Sequence, residues 1–403
     1  MTEAAEGLGH VLPWLELCRL LVASGASVQL ACPNPAAVQS AFEGSGATLE
    51  QLFIPSMHCG PNNVPCSSWE EIFTSLGYAS QIAVAACTKK IRSLINEFRP
   101  TVVLADYAPI ASLVAKTLGI PVVRIGTGYC NPPLRDQGPM WLPFQNADLE
   151  IVGLASGNLA KANLAKLKVE ECFSSVFGYQ SRLVRKPRFE DLIYHGDARL
   201  IVSEPELDHY RDIRQSDNAR YVGFTRLPSA QVIQPEVASI FFSQSITKLK
   251  ILVYLKPNTT GFNEYLAQFR SLQQCVSVVL GSNRPESISN RFKNMIFVFR
   301  SEDISAALNA CDVFITNGGL HLLAAALARE KPIVIVPSQA EQAATAILLR
   351  DHQLVRTCLN AKDIALALIS VAQICAEKET VSLVRGQYLN AEDLIISAIK
   401  KIR

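Results

Sequence analysis

Asp312-Val-Phe-Ile-Thr-Asn-Gly-Gly-Leu-His-Leu-Leu-Ala-Ala-Ala-Leu327, running on through Pro332-Ile-Val-Ile-Val-Pro337 to Glu341-Gln342, decides the fold. It reads as a short buried strand, a sharp turn with two glycines, an apolar helix, a second buried strand and the start of another helix. Gly318-Gly319 falls where the strand gives way to the helix. A helix start offers unpaired backbone N–H groups and the positive end of the dipole, and glycine lets a bulky anion approach the backbone. The turn therefore reads either as a diphosphate seat or as a strand–turn–helix that needed glycine for its turn. The motif alone supports both.

Outward from this stretch the same alternation continues. Towards the C-terminus strands are expected at 249–255, 276–280, 295–299, 313–316 and 333–336, with helices between them and beyond residue 340. Towards the N-terminus strands are expected at 27–32, 48–54, 101–105, 121–125 and 198–202, with helices at 36–42, 69–98, 110–118 and 148–177. Leu12, Trp14, Leu15, Leu17, Leu20 and Leu21 form a further helical stripe closed by Gly25. Strands alternating with helices imply parallel pairing in βαβ units. The segments 57–68 and 126–144 read as long loops, the latter with four prolines. Periodicity fails over 225–247, which places a linker there. The domains are then 1–224 and 248–403, two Rossmann-like α/β halves.

The length of 403 residues agrees with two domains. A formal net charge of +2 is too close to zero for nucleic acid or an anionic membrane as the main partner. No run reaches the roughly 18 apolar residues of a membrane span. The acidic start, Met1-Thr-Glu-Ala-Ala-Glu6, is unlike a signal peptide. Eleven cysteines without a C-x-x-C pair read as reduced thiols in a cytoplasm. There is no G-x-x-x-x-G-K-[ST] phosphate loop and no Asp-x-Asp pair to bridge a metal to a diphosphate. Gly7-Leu-Gly-His-Val-Leu12 lacks the third glycine of a dinucleotide fingerprint.

Two residues point to acid–base chemistry. His10 falls at the expected opening turn of a helix, where the dipole favours the neutral imidazole that can accept a hydroxyl proton. Asp106 ends a buried strand, where a carboxylate can hold a histidine's second nitrogen. The plain alternatives are a surface or capping histidine near a frayed terminus, and an N-cap for the helix that follows Asp106.

Gly7-x-Gly9-His10-x-x-Pro13, then Asp106 before Ala111-x-x-x-Ala115-x-x-Leu118-Gly-Ile-Pro121, then Asp312 through Gly318-Gly319, Pro332, Pro337 and Glu341-Gln342 form an ordered set. Tyr129, Pro132-Pro133, the 205–210 segment Pro-Glu-Leu-Asp-His-Tyr and the 254–257 turn Tyr-Leu-Lys-Pro add to it. The set resembles inverting, nucleotide-sugar-dependent glycosyltransferases with the GT-B fold, a group that includes plant flavonoid and bacterial macrolide and antibiotic glycosyltransferases. The bacterial members are the most alike. The resemblance implies a metal-independent, cytoplasmic hexosyltransferase-like enzyme. It implies two Rossmann-like domains whose parallel sheets face a central cleft, with the last helix packing back on the N-domain. It implies a UDP- or dTDP-linked sugar as co-substrate and no separate cofactor or metal. His10 would be the general base and Asp106 its partner. Gly9, Lys256, Asn258, Asn317, Gly318, Gly319, His321, Glu341 and Gln342 would face the donor. The 57–68 and 126–144 loops carry Met57, Tyr129 and Trp141, which suit a small lipophilic acceptor or simply close the core.

The sequence departs from the group in places. Asn317 stands where a histidine usually donates to a phosphate, His321-Leu322 replaces a glycine–hydroxyl pair, and Ala325 replaces a ribose-binding glutamate. Almost nothing precedes Gly7, so the first strand is short or missing, or the start truncated. Two other readings stay open: a nucleotide-sugar-binding protein or partner subunit that has lost catalysis, and a nucleotide-sugar epimerase of the same fold.

Overall fold

The structure, a computed structural model, describes residues 1–3, 8–52, 66–133, 139–143, 158–178, 186–214, 218–226, 249–256, 259–272, 275–280, 295–298, 304–376 and 391–402. The chain divides into two compact units, Met1–Arg226 with Tyr388–Arg403, and Leu227–Gln387. The expected linker at 225–247 lies outside the described residues from 227 onward. Among the described residues no helix is long and apolar enough to cross a membrane. Cys18, Cys32, Cys66, Cys87, Cys130, Cys172, Cys311 and Cys358 are free thiols, all buried except the half-buried Cys66.

The first unit carries β1 (Gln29–Cys32) paired with β2 (Thr48–Gln51), and a second sheet of β3 (Val103–Asp106), β4 (Val122–Gly126), β5 (Ala198–Ile201) and β6 (Arg220–Tyr221), in that order. Every pairing is parallel. Its helices are α1 (Leu15–Ala23), α2 (Gln39–Phe42), α3 (Trp69–Ser75), α4 (Gln81–Phe98), α5 (Pro109–Leu118), α6 (Leu159–Phe177) and α7 (Phe189–Tyr194). β4, Val-Val-Arg-Ile-Gly, is buried at every position, as a strand covered on both faces must be.

The second unit holds β7 (Leu249–Tyr254), β8 (Cys275–Leu280), β9 (Met295–Val298), β10 (Val313–Thr316), β11 (Ile333–Ile335) and β12 (Val355–Thr357), ordered β12-β11-β10-β7-β8-β9, again all parallel. Its helices are α8 (Phe262–Ser271), α9 (Ile304–Ala310), α10 (Leu320–Leu327), α11 (Ala340–Leu348) and α12 (Ile364–Ala376). The chain's last helix, α13 (Ala391–Ile402), belongs to the first unit. Its Ile395 and Ile399 join Trp14, Leu17, Val123, Ile125, Leu200 and Val202 in one apolar cluster.

Two local differences from the sequence reading bear on the site. The expected single helix over 69–98 is two, because Gly77 turns the chain at φ 86° and the Ser80 side chain caps the start of α4 by accepting from Ala83 N. The stripe from Leu12 is not one helix either. Leu8–His10 and Leu12–Trp14 are 3₁₀ turns, and α1 begins only at Leu15. Pro13 lacks an N–H and disfavours the α conformation in the residue before it, which explains the delayed start. His10 therefore lies five residues ahead of the α-helix, and the helix-dipole argument for its neutral form does not apply. β6 and β12 were not foreseen, since two or three residues carry no periodicity to read.

The first strand is short, as expected. Met1–Glu3 lie between β1 and β3. Thr2 N donates to Ala31 O at 3.0 Å, Asp106 N donates to Met1 O at 3.0 Å, and Thr2 pairs with Asp106 in a single parallel bridge. The first strand is thus reduced to a stitch.

Glu3 follows directly and is fully buried. Its carboxylate accepts from Ile110 N at 3.0 Å, from Ala111 N, and from the Tyr78 hydroxyl at 3.3 Å. The orphan amides at the start of α5 are therefore capped from 107 residues away, while the local N-cap, Ala108, supplies no side chain. Asp106 does not cap this helix. Burial raises the Glu3 carboxyl from 4.5 to about 7, and the helix N–H bonds only partly offset it. The folded state thus favours the protonated form. This contribution is fully present below pH 4.5 and is lost as pH rises towards 7, a displacement worth about 3 kcal/mol. Urea unfolding of the parent and of Glu3→Gln, at pH 4.5 and pH 8, should show the parent losing more stability on going up. Parallel pH dependences would remove Glu3 from this role.

Candidate functional site

The site in the first unit is built at the C-terminal end of β3. Asp106 is its last residue and 3% exposed. The 3₁₀ turn Leu8–His10 brings in the imidazole, and His10 Nδ1 lies 3.3 Å from Asp106 Oδ2. A carboxylate oxygen only accepts, so Nδ1 carries the hydrogen and Nε2 holds the lone pair. His10 is half-buried at its side chain and Asp106 nearly inaccessible.

Asp106 is fixed through its carboxylate and its backbone. The Trp14 indole Nε1 donates to the same Oδ2 at 3.1 Å. The Thr2 hydroxyl donates to the Asp106 carbonyl at 3.3 Å. Tyr107, the next residue, sits at φ 48°, left-handed for a residue with a bulky side chain, and its ring packs edge-on against Trp69 at 5.5 Å. At the end of β4, Gly126 has φ 146°, and a Cβ there would lie 2.9 Å from Asp106 Oδ1. Only glycine admits this approach of the two strand ends.

The chain after β4 is held by a buried ion pair. Arg214 Nε donates to Asp208 Oδ2 at 2.5 Å and Nη2 to Oδ1 at 3.2 Å; the Tyr221 hydroxyl donates to Oδ2 at 2.6 Å. Arg214 Nη2 also donates to the Gly128 carbonyl at 3.3 Å. A Cβ on Gly128 would fall 1.9 Å from Asp208 Oδ1, so the loop lies directly on the carboxylate. Burial pushes the Asp208 carboxyl up, but Arg214, the Tyr221 hydroxyl and the Tyr210 N–H together outweigh it and the net displacement is downward. The separate segments Ile125–Tyr129 and Pro205–Tyr210 thus meet in space.

Of the residues read as acceptor-facing, Tyr129 is buried. Its ring packs on Trp69 at 5.1 Å and His209 at 5.5 Å, within an aromatic core. Trp141 is half-buried and pairs with Ser68 in an isolated bridge. Met57 and Asn258 lie outside the described residues. Gly9 is exposed beside His10, with no atom within 4 Å of a Cβ built on it.

In the second unit the sequence-predicted residues gather at the ends of β7, β10 and β11. Gly318 has φ 95°, and a Cβ there would lie 2.9 Å from Ile335 Cγ2; its N–H donates to Thr316 Oγ1 at 3.2 Å. Gly319, the N-cap of α10, has ordinary φ and is exposed, with nothing within 4 Å of a Cβ. The two glycines differ in kind: the first is needed by the turn, the second faces open space at the helix start. Asn317 is 2% exposed. Its Oδ1 accepts from Lys256 N at 2.7 Å, and its Nδ2 donates to Thr259 Oγ1 at 3.0 Å and Val336 O at 2.8 Å. Both amide hydrogens are thus engaged within the unit, so donating to a phosphate requires breaking one of these bonds. His321 and Leu322 are half-buried in the first turn of α10, and Ala325 faces the core. Gln342 Oε1 accepts from Ser338 N and Oγ, both at 2.9 Å, while Glu341 is half-buried on the first turn of α11.

Sequence reading missed Glu3, Trp14, Asp208 and Arg214. Trp14 was within reach, since it stands four residues from His10; the others act across distances that no local pattern shows.

No family model matches the chain, and no curated protein matches it. Solved structures do. The kitacinnamycin glycosyltransferase matches at 18% identity and TM-score 0.65, over 98% of this chain and 97% of its own. The calicheamicin glycosyltransferase CalG4 matches at 16% and 0.66, over 100% and 97%. SnogD from Streptomyces nogalater matches at 15% and 0.64, over 100% and 98%. Over its whole length, then, the chain has the GT-B fold of nucleotide-sugar glycosyltransferases.

Proposed function

We propose that this protein is an inverting glycosyltransferase that moves a sugar from a UDP- or dTDP-linked donor to a hydroxyl of a small lipophilic acceptor. The observation that carries this reading is the His10–Asp106 pair at the end of a parallel strand. His10 Nε2 takes the proton of the acceptor hydroxyl as that oxygen attacks the anomeric carbon. The bond to the nucleoside diphosphate breaks, inverting the centre, and Asp106 stabilises the imidazolium. Within the second unit, the α10 start at Gly319 offers backbone amides and a helix dipole suited to the charge of the departing diphosphate. The scheme uses no metal. Among the structural neighbours, the spinosyn rhamnosyltransferase SpnG has been solved with spinosyn aglycone and with thymidine diphosphate, which agrees with a donor and acceptor of these classes.

The two glycines test the donor seat. Gly319→Ala should leave urea unfolding nearly unchanged while weakening calorimetric binding of dTDP or UDP at least several-fold. Gly318→Ala should cost about 1–3 kcal/mol of stability, from its left-handed backbone and the contact with Ile335. Equal nucleotide affinity in parent and Gly319→Ala would move the diphosphate elsewhere. Turnover is assayed with UDP- and dTDP-glucose against a polyphenol and a macrolide aglycone. Nucleotide binding without any turnover would favour a donor-binding protein over an enzyme.

A further inference from the structure

We propose that Trp14 is a positioning residue for the acid–base pair, setting both the orientation and the charge that Asp106 presents to His10. This rests on the reading of His10 as general base. Asp106 Oδ2 receives two N–H groups, from His10 Nδ1 at 3.3 Å and from the Trp14 indole at 3.1 Å. Its other oxygen, Oδ1, is buried with no hydrogen-bond partner among the described residues. The carboxylate is therefore held through one oxygen, and Trp14 makes the shorter of the two side-chain bonds to it. Trp14 is itself rigid: it is 5% exposed, and its ring belongs to the apolar cluster formed with Leu17, Val123, Ile125, Ile395 and Ile399. The indole is thus an apolar body locked under the sheet with one polar tip on Asp106, the usual division of labour in a buried tryptophan.

The physical consequence follows from the shared acceptor. Each donor that bonds a carboxylate oxygen draws off part of its negative charge. With Trp14 in place, His10 meets a partly compensated carboxylate in a fixed rotamer. Without the indole N–H, the charge acts on the imidazole alone and favours imidazolium. A base held too firmly as imidazolium is less available at neutral pH. Among the described residues of the first unit, the Met1 amine and Arg124 interact electrostatically with Asp106, and the Cys130 sulfur lies within 4.8 Å of a His10 ring nitrogen. Trp14→Phe replaces none of these groups.

The test is Trp14→Phe, which keeps the buried ring and deletes the donor. The ¹⁵N signals of His10 are titrated in histidine-labelled full-length protein and assigned by their loss in His10→Ala. The His10 midpoint should rise by roughly half a unit, with the acid limb of kcat moving alongside it. In an Asp106→Asn background the same substitution should produce no further shift. An unchanged midpoint in Trp14→Phe, or a shift of the same size with Asp106 replaced, overturns the proposal. The NMR readout needs no substrate, so it stays informative if His10→Ala shows that the glycosyltransferase reading itself is wrong.

Discussion

His10→Ala is expected to lower glycosyl transfer by on the order of 10²–10⁴-fold, the contribution of one positioned general base. The loss should appear in kcat. Binding of dTDP or UDP should stay within a few-fold of the parent, because the seat proposed for the diphosphate is in the other unit of the chain. His10 is half-buried in a short 3₁₀ turn and its bond to Asp106 is long, so its removal should disturb folding little. Circular dichroism and urea unfolding serve as controls. A variant that folds, binds nucleotide and turns over at nearly the parental rate would eliminate His10 as base. The departing proton would then need another acceptor.

Arg214→Met should be the most damaging single change to stability in the first unit. The guanidinium and the Asp208 carboxylate are 3% and 0% exposed at their side chains and bonded through two nitrogens. Removing one member of such a pair leaves the other charge buried, at a cost of about 3–5 kcal/mol. Tyr221 and the Tyr210 N–H remain on Asp208, which points to the lower end of that range. Because Gly128 rests on Asp208, the loop leading to Tyr129 and Asn131 should loosen along with it. Asp208→Asn combined with Arg214→Met should recover part of the loss, since it removes the stranded charge. A single variant within about 0.5 kcal/mol of the parent by urea unfolding would show that the pair contributes nothing net. The downward displacement of the Asp208 carboxyl adds a pH signature. The stability it represents is present above the ordinary value of 3.8 and lost as pH falls through the lower folded value.

The parts of this protein legible in its sequence are those that repeat locally. Val313–Thr316, Ile333–Ile335 and Val122–Gly126 are apolar runs bounded by turn residues, and a parallel sheet buried on both faces writes itself in that form. Gly318 was legible as a turn because only glycine accepts its backbone angle without strain. His10 and Asp106 stood out as chemistry-bearing residues at element ends, and the structure brings them within hydrogen-bond reach. What stayed hidden depends on distant partners. Glu3 caps a helix that begins at Pro109, and nothing in a glutamate near an N-terminus announces that. Asn317 looked like an altered phosphate donor because a sequence shows the residue type but not which of its hydrogens are already engaged. Tyr129 looked like a ligand-facing aromatic for the same reason: burial among Trp69 and His209 follows from the fold, not from the loop that carries it.

The bonds of Asn317 also constrain the paths by which this turn can change. One short amide joins the chain after β7, the Thr259 hydroxyl and the carbonyl that follows β11. An imidazole at this position offers one donor and one acceptor where three partners now meet. Placing histidine at position 317 would therefore orphan a buried group. A change at this position therefore calls for coordinated changes at all three partners instead of one.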